Sequence, residues 1–118
     1  MDSPKNIAWA AGLFEGEGSI GSYHQKPTYK YPTIRACMDM TDQDVVEHFG
    51  AVIGFGNVLP RPRRKSLYKT AWRWQTSKFE TVQAMVAMFW PWLGERRKQQ
   101  AKKALLEYRA KSGEANAI

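Results

Sequence analysis

Two hydrophobic periods take turns along this 118-residue chain, and the points where one replaces the other mark its elements. Ile7, Ala10, Ala11 and Phe14 recur at helical spacing behind Ser3-Pro4, a hydroxyl cap followed by proline in the first turn, which predicts a helix over 4–17. Beyond Gly18 the period falls to two. Runs rich in Tyr, Thr and Ile over 19–25 and 29–40, separated by Lys26-Pro27, predict a strand pair. In the second run Ile34, Ala36 and Met38 share one face, and Thr33, Arg35, Cys37 and Asp39 the other. Thr41, Asp42 and Asp44 then resemble a capped helix start, with Val45, Val46, Phe49 and Val52 as its apolar stripe and Gly54 to Gly56 as its stop. A second strand pair is expected over 57–63 and 67–75, where Tyr68, Thr70, Trp72 and Trp74 alternate with Lys69, Ala71, Arg73 and Gln75. Ser77 and Glu80 have capping-box spacing, opening a helix that carries Val82, Met85, Val86 and Phe89 as far as Pro91; Glu95 to Ala110 reads as a last, basic helix. The order predicts an α+β domain, with one antiparallel sheet covered by helices on one face.

Length and composition narrow this further. A chain of 118 residues, 43% hydrophobic, supports one core, so residues 1–110 are expected to form a single domain and 111–118, small and polar, a short flexible tail. Cys37 is the only cysteine, which rules out an intramolecular disulfide and a cysteine-based zinc site. The N-terminus lacks the cationic start and apolar run of a secretory signal, and Met85 to Leu93 is too short for a membrane span and broken by Pro91. A cytoplasmic protein with no membrane association is the expectation. Trp72, Trp74, Trp90 and Trp92 read as core and helix-packing residues.

Charge changes the picture more. Eighteen basic residues stand against eleven acidic ones, a formal charge of +7 that favours a polyanionic partner. From His48 to Phe79 there is no acid, while Arg61, Arg63, Arg64, Lys65, Lys69, Arg73 and Lys78 fall inside that window. The basic charge is therefore a patch. Arg61, Arg63, Arg64 and Lys65 cluster at the turn between the third and fourth strands, where phosphate contact is the expected role. Arg35, Lys69, Arg73 and Gln75 alternate along strands, the geometry for reaching base edges in a major groove.

The first helix ends oddly. Glu15 and Glu17 face the negative end of its macrodipole, a placement disfavoured by about 0.3–1 kcal/mol per charge. Ala8, Gly12 and Gly16 form an i, i+4 row almost without side chains, and each helical glycine costs roughly 0.5–1 kcal/mol against alanine. Such a row lets a second helix approach closely, and the same surface of a second copy across a two-fold axis is the natural partner. Two such helices would bring two Glu17 carboxylates together, and these repel unless a cation or proton sits between them; hard oxygen ligands of this kind select Mg²⁺ or Ca²⁺.

The stretch Ala-Ala-Gly-Leu-Phe-Glu-Gly-Glu-Gly, residues 10–18, resembles the nine-residue signature of the LAGLIDADG homing endonucleases, with Ala10 for the leading leucine, Phe14 for the isoleucine, and Glu15 and Glu17 for the two aspartates. Read with the element order behind it, the resemblance spans nearly the whole chain and implies the αββαββα(α) fold of that family. A single motif copy implies a homodimer acting on a pseudo-palindromic site in double-stranded DNA, with the motif helices at the interface and the sheets in the major groove. By position, Glu17 resembles the acid that ligates a catalytic Mg²⁺, with the Gly16 carbonyl as a further ligand, and Glu15 resembles the acid with a structural role. The resemblance also implies a basic residue near the scissile phosphate after Pro91: Arg96, Arg97 or Lys98, of which Arg96 and Lys98 are favoured. Polar residues that organise active-site water in some members fall at the end of the second strand, where this chain has Met38, Asp39 and Met40. The implied activity is site-specific double-strand cleavage. The alternative is a non-cleaving nucleic-acid binder of the same fold, an intron RNA maturase or a DNA-binding regulator.

Overall fold

The computed structural model describes residues 3–23, 32–61 and 69–117. The elements come in the expected order: α1 (Pro4–Glu17), β1 (Gly18–Tyr23), β2 (Thr33–Met40), α2 (Gln43–Ile53), β3 (Asn57–Arg61), β4 (Ala71–Thr76), α3 (Phe79–Phe89), a 3-10 turn (Trp90–Trp92) and α4 (Glu95–Ala117). All strand pairs are antiparallel, in the order β1-β2-β4-β3, so β4 lies inside the sheet against β2 and β3 forms an edge.

The core occupies one face. Ile20, Ile34, Ala36, Met38 and Trp74 from the strands meet Ile7, Ala10, Ala11 and Phe14 of α1, Val46 and Phe49 of α2, Val82, Met85 and Phe89 of α3, and Ala101 and Ala104 of α4. Fully burying a large apolar side chain stabilises by roughly 1.5–3 kcal/mol, and Phe14, Phe49, Phe89 and Trp74 form its aromatic centre. Trp74 still needs a partner for its indole N–H, which donates to the Phe55 carbonyl at 2.9 Å. Trp72 and Trp90 are half-buried against this cluster as expected, whereas Trp92 is 43% exposed.

The ends of α1 explain its sequence. The Asn6 N–H donates to Ser3 Oγ at 3.2 Å, so Ser3 caps the helix. At the other end the chain passes from helix to strand without a loop, and Gly18 donates its N–H to the Phe14 carbonyl. A Cβ at Gly18 would run into the Phe14 ring, which is why glycine stands there.

Three local expectations are corrected. The Ser77–Glu80 capping box does not form: β4 runs to Thr76 and α3 starts at Phe79, so the cap position falls to Lys78. There Thr81 Oγ1 donates to the Lys78 carbonyl at 3.0 Å and lies 2.6 Å from Thr76 Oγ1, so the hydroxyl of Thr81 ties the strand to the helix instead. α2 is capped by position at Asp42, without a side-chain bond, and it stops at Gly54 in the left-handed region at φ 88°. The last helix, expected to end at Ala110, continues through Gly113 to Ala117, since no proline interrupts its turn-by-turn propagation.

Candidate nucleic-acid interface and acidic helix end

The sheet face opposite the core carries the polar set. Strand register places Ser19, Cys37, Gln75 and Asn57 side by side in one cross-strand row and Asp39, Arg73 and Leu59 in the next; Arg35 lies opposite Gly21 and Arg61 opposite Ala71. With strands about 4.8 Å apart, four of them span about 14 Å, comparable to a B-DNA major groove about 12 Å wide. Arg35, Arg61, Arg73 and Gln75 are thus brought onto one face, and Lys69 is exposed just ahead of β4. Arg63, Arg64 and Lys65 lie outside the described residues.

An acid-free window of sequence does not give an acid-free surface. β2 contributes Asp39, whose carboxylate accepts two bonds from Arg73, Nε to Oδ1 at 2.6 Å and Nη2 to Oδ2 at 2.9 Å. The Arg73 hydrogen bonds hold the Asp39 carboxyl below the usual carboxylate range against an opposing effect of burial, and the charges of Arg73, Arg61 and Arg35 add to the lowering. Arg73 is therefore one arm of a fork, where alternation alone had suggested a lone base reader. Parity along β2 already placed Asp39 beside Arg35; the partner across the sheet was invisible.

At the end of α1 the two acids part. Glu17 is exposed and lies two residues before Ser19, so the helix delivers it to the edge of the polar sheet face. Glu15 turns to the loop before α4: a Cβ on Gly94 would sit 2.6 Å from Glu15 Oε1, so that glycine makes room for the carboxylate. The unfavourable dipole is met by Arg97, 8% exposed, whose Nη2 donates to the Glu15 carbonyl at 2.8 Å and whose Nη1 donates to Gln100 Oε1 at 2.6 Å. A cation on an orphan carbonyl in the last helical turn satisfies a backbone acceptor and offsets the macrodipole together. The signal was present in the sequence, since Arg97, Ala101 and Ala104 share one stripe of α4. Arg97→Met keeps the apolar stem but strands the Glu15 carbonyl; the expected cost of about 1–3 kcal/mol corresponds to a melting temperature lowered by roughly 5–15 °C. Thermal unfolding by circular dichroism checks this, and an unchanged midpoint would refute the capping role.

The neighbours of Arg97 differ. Arg96 is exposed, one residue from the anchor on α1, whereas Lys98 leans its ammonium over the Trp90 ring at 5.1 Å. Along α1 the face opposite the core is bare of the described residues: Ala8 is half-buried, Gly12 and Gly16 are exposed, and a Cβ at either glycine would meet none of the described residues within 4 Å. Trp9 flanks this strip, 40% exposed and tilted against His48 at 4.7 Å. Among the described residues no group of three or more His, Cys, Asp or Glu side chains could hold a metal. No helix among the described residues is long and apolar enough to cross a membrane.

No protein-family model matches the sequence, and no curated protein does either. Solved structures do. The homing endonuclease I-CvuI, in complex with its target, is similar over 89% of this chain and 66% of its own at 19% identity and a TM-score of 0.70. The LAGLIDADG homing endonuclease I-GzeII, in complex with its DNA target, is similar over 100% of this chain and 40% of its own at 20% identity and a TM-score of 0.73. For I-CeuI, a group I intron-encoded homing endonuclease complexed with DNA, the shares are 91% and 56% at 18% identity and a TM-score of 0.66. The chain thus spans from two fifths to about two thirds of the length of these proteins. The order of its helices and strands, the antiparallel sheet β1-β2-β4-β3 and this likeness together make its fold that of the LAGLIDADG homing endonucleases.

Proposed function

We propose that the chain is a homodimeric, divalent-metal-dependent endonuclease that cuts both strands of DNA at a specific pseudo-palindromic site. The observation that carries this is one junction: an exposed glutamate, Glu17, stands where an uncovered helix face meets a basic sheet face. The proteins of the same fold solved with DNA support the choice of polyanion. I-CvuI was also studied with 2 mM Ca and with 2 mM Mg, which supports a divalent cation here.

Each part then has a task. The basic arms Arg35 and Arg61, the Asp39–Arg73 fork and Gln75 lie in the major groove and Lys69 contacts phosphates, a role assigned to Arg63, Arg64 and Lys65 from their charge alone. The bare strip of Ala8, Gly12 and Gly16 meets its copy across a dyad, which brings the two Glu17 side chains to the two scissile phosphates. One available carboxylate per chain serves one strand, so two chains are needed for a double-strand cut. Glu17 and the Gly16 carbonyl would hold Mg²⁺, hard oxygens suited to it. When bound, Mg²⁺ lowers the pKa of a water and stabilises charge on departing oxygen. Arg96, exposed beside the Arg97 anchor, or Lys98 stabilises the extra negative charge on the phosphate.

The test is a plasmid library with randomised inserts incubated with protein and Mg²⁺. We expect linear product cut at one long two-fold-related site, from a species of twice 13.5 kDa by light scattering. Binding without cutting would replace the reading by the non-cleaving alternative, and neither binding nor cutting would end it.

A further inference from the structure

Asp39 is the one acid among the described residues on the outer sheet face, and it faces outward. Its side chain is 39% exposed while that of its partner Arg73 is 14% exposed, so the fork hides the guanidinium and presents the carboxylate. An ion pair this accessible adds little to folding. Against DNA, an outward carboxylate repels phosphate and would weaken binding to every sequence alike. It gains only where it meets a donor. Ionised carboxylates accept hydrogen bonds and donate none, and the only donors on major-groove base edges are the exocyclic amines of cytosine and adenine. Guanine O6 and thymine O4 are acceptors, and an acceptor facing a carboxylate is repelled. Beside each amine the same base pair offers an acceptor, guanine O6 next to cytosine N4, or adenine N7 next to N6, which suits a cation held alongside the carboxylate.

We propose that Asp39, fixed by its two bonds to Arg73, reads one position of each half-site by accepting from the amine of cytosine or adenine and rejecting guanine and thymine on the strand it faces. This rests on the reading of the chain as a dimer that binds double-stranded DNA. Asp39 would be a specificity determinant, and Arg73 the residue that positions it. The rigidity of the fork matters: a free aspartate would rotate away from a mismatched base, whereas one held at both oxygens cannot retreat without breaking the fork.

The experiment enriches bound duplexes from a randomised pool, without Mg²⁺ so that nothing is cut, using the parent, Asp39→Asn and Asp39→Ala. For the parent we expect two symmetry-related positions restricted to an amino base on one strand. In both variants discrimination at those two positions is expected to fall by about 10- to 100-fold while the other positions keep their preferences. An asparagine amide both donates and accepts, so Asp39→Asn is expected to admit guanine and thymine. A second measurement leaves the protein untouched: replacing the adenine or cytosine at that position by purine or pyrimidin-2-one, which lack the amine, is expected to weaken binding of the parent by about 10-fold at that position alone. If the variants keep the base preferences of the parent and only shift affinity uniformly, or if deleting the amine changes nothing, the proposal is overturned. A parent that enriches no sequence at all overturns it together with the reading of the chain as a DNA binder, a result distinct from the first two.

Discussion

Glu17→Gln is expected to abolish cutting while leaving DNA binding equal or tighter. The chain places Glu17 exposed at the last position of α1, with Glu15 turned inward against Gly94, so no second acid stands ready to replace it. On the proposed reading Glu17 would hold the metal at the scissile phosphate, and losing its carboxylate is expected to slow cleavage by about 1,000-fold or more, on the order of 4 kcal/mol in the barrier. Binding is expected to move the other way, because on the proposed reading the removed charge is negative and would face phosphates. Folding is not at risk either: the carboxylate opposes the macrodipole, and neutralising it relieves about 0.3–1 kcal/mol. A filter-binding assay beside a cleavage time course reads both quantities. A misfolded variant would lose both together, and a variant that cuts at the parental rate would show that Glu17 is not the catalytic acid.

Gly12→Leu is expected to split stability from association in the same way. A Cβ at Gly12 meets none of the described residues within 4 Å, and the residue sits mid-helix on the face away from the core. Replacing a helical glycine stabilises the isolated chain by about 0.5–1 kcal/mol, which corresponds to a melting temperature raised by roughly 2–8 °C in a domain of this size. At the proposed two-fold interface the added isobutyl group would be present twice, on the strip that the second copy is proposed to cover. The expected result is a well-folded monomer, by light scattering, whose double-strand cutting is lost. A Gly12→Leu protein that dimerises and cuts like its parent would show that the α1 strip is not the interface.

The two predictions share a cause. In each, a residue that is unfavourable for its own helix finds no compensation among the described residues, and the proposed reading assigns that compensation to a partner. Arg97 shows the contrary case. The cost of ending α1 on acids is offset within the chain at the Glu15 carbonyl, where Arg97 donates. Leu59, 43% exposed beside Arg73, belongs to the same face and has no role in the core.

Much of the architecture was written in local pattern. The Ser3 cap, the period of Ile7 to Phe14, the alternation of Ile34, Ala36 and Met38, and the stripes of α2 and α3 each report which side of an element is apolar, and the folded chain buries those sides. Those same patterns placed Arg35, Arg73 and Gln75 away from the core, and left Ala8, Gly12 and Gly16 on the far side of α1. Spacing of this kind survives because it depends on helix and strand geometry within a few residues. It failed at Ser77, where the strand ran on to Thr76 and took the position the cap needed.

What the sequence by itself determined, then, is the order of the elements, the apolar side of each, and the presence of an acid-ended helix with a bare strip beside a basic stretch. Tertiary structure alone decided which elements meet. Asp39 and Arg73 are 34 residues apart and form a fork only because β4 inserts beside β2; Arg97 and Glu15 are 82 apart and touch only because α4 docks across the end of α1. Periodicity records the direction a side chain takes from its own backbone, whereas the partner it finds is fixed by how all the apolar sides pack into one core at once, a global condition that no local window contains.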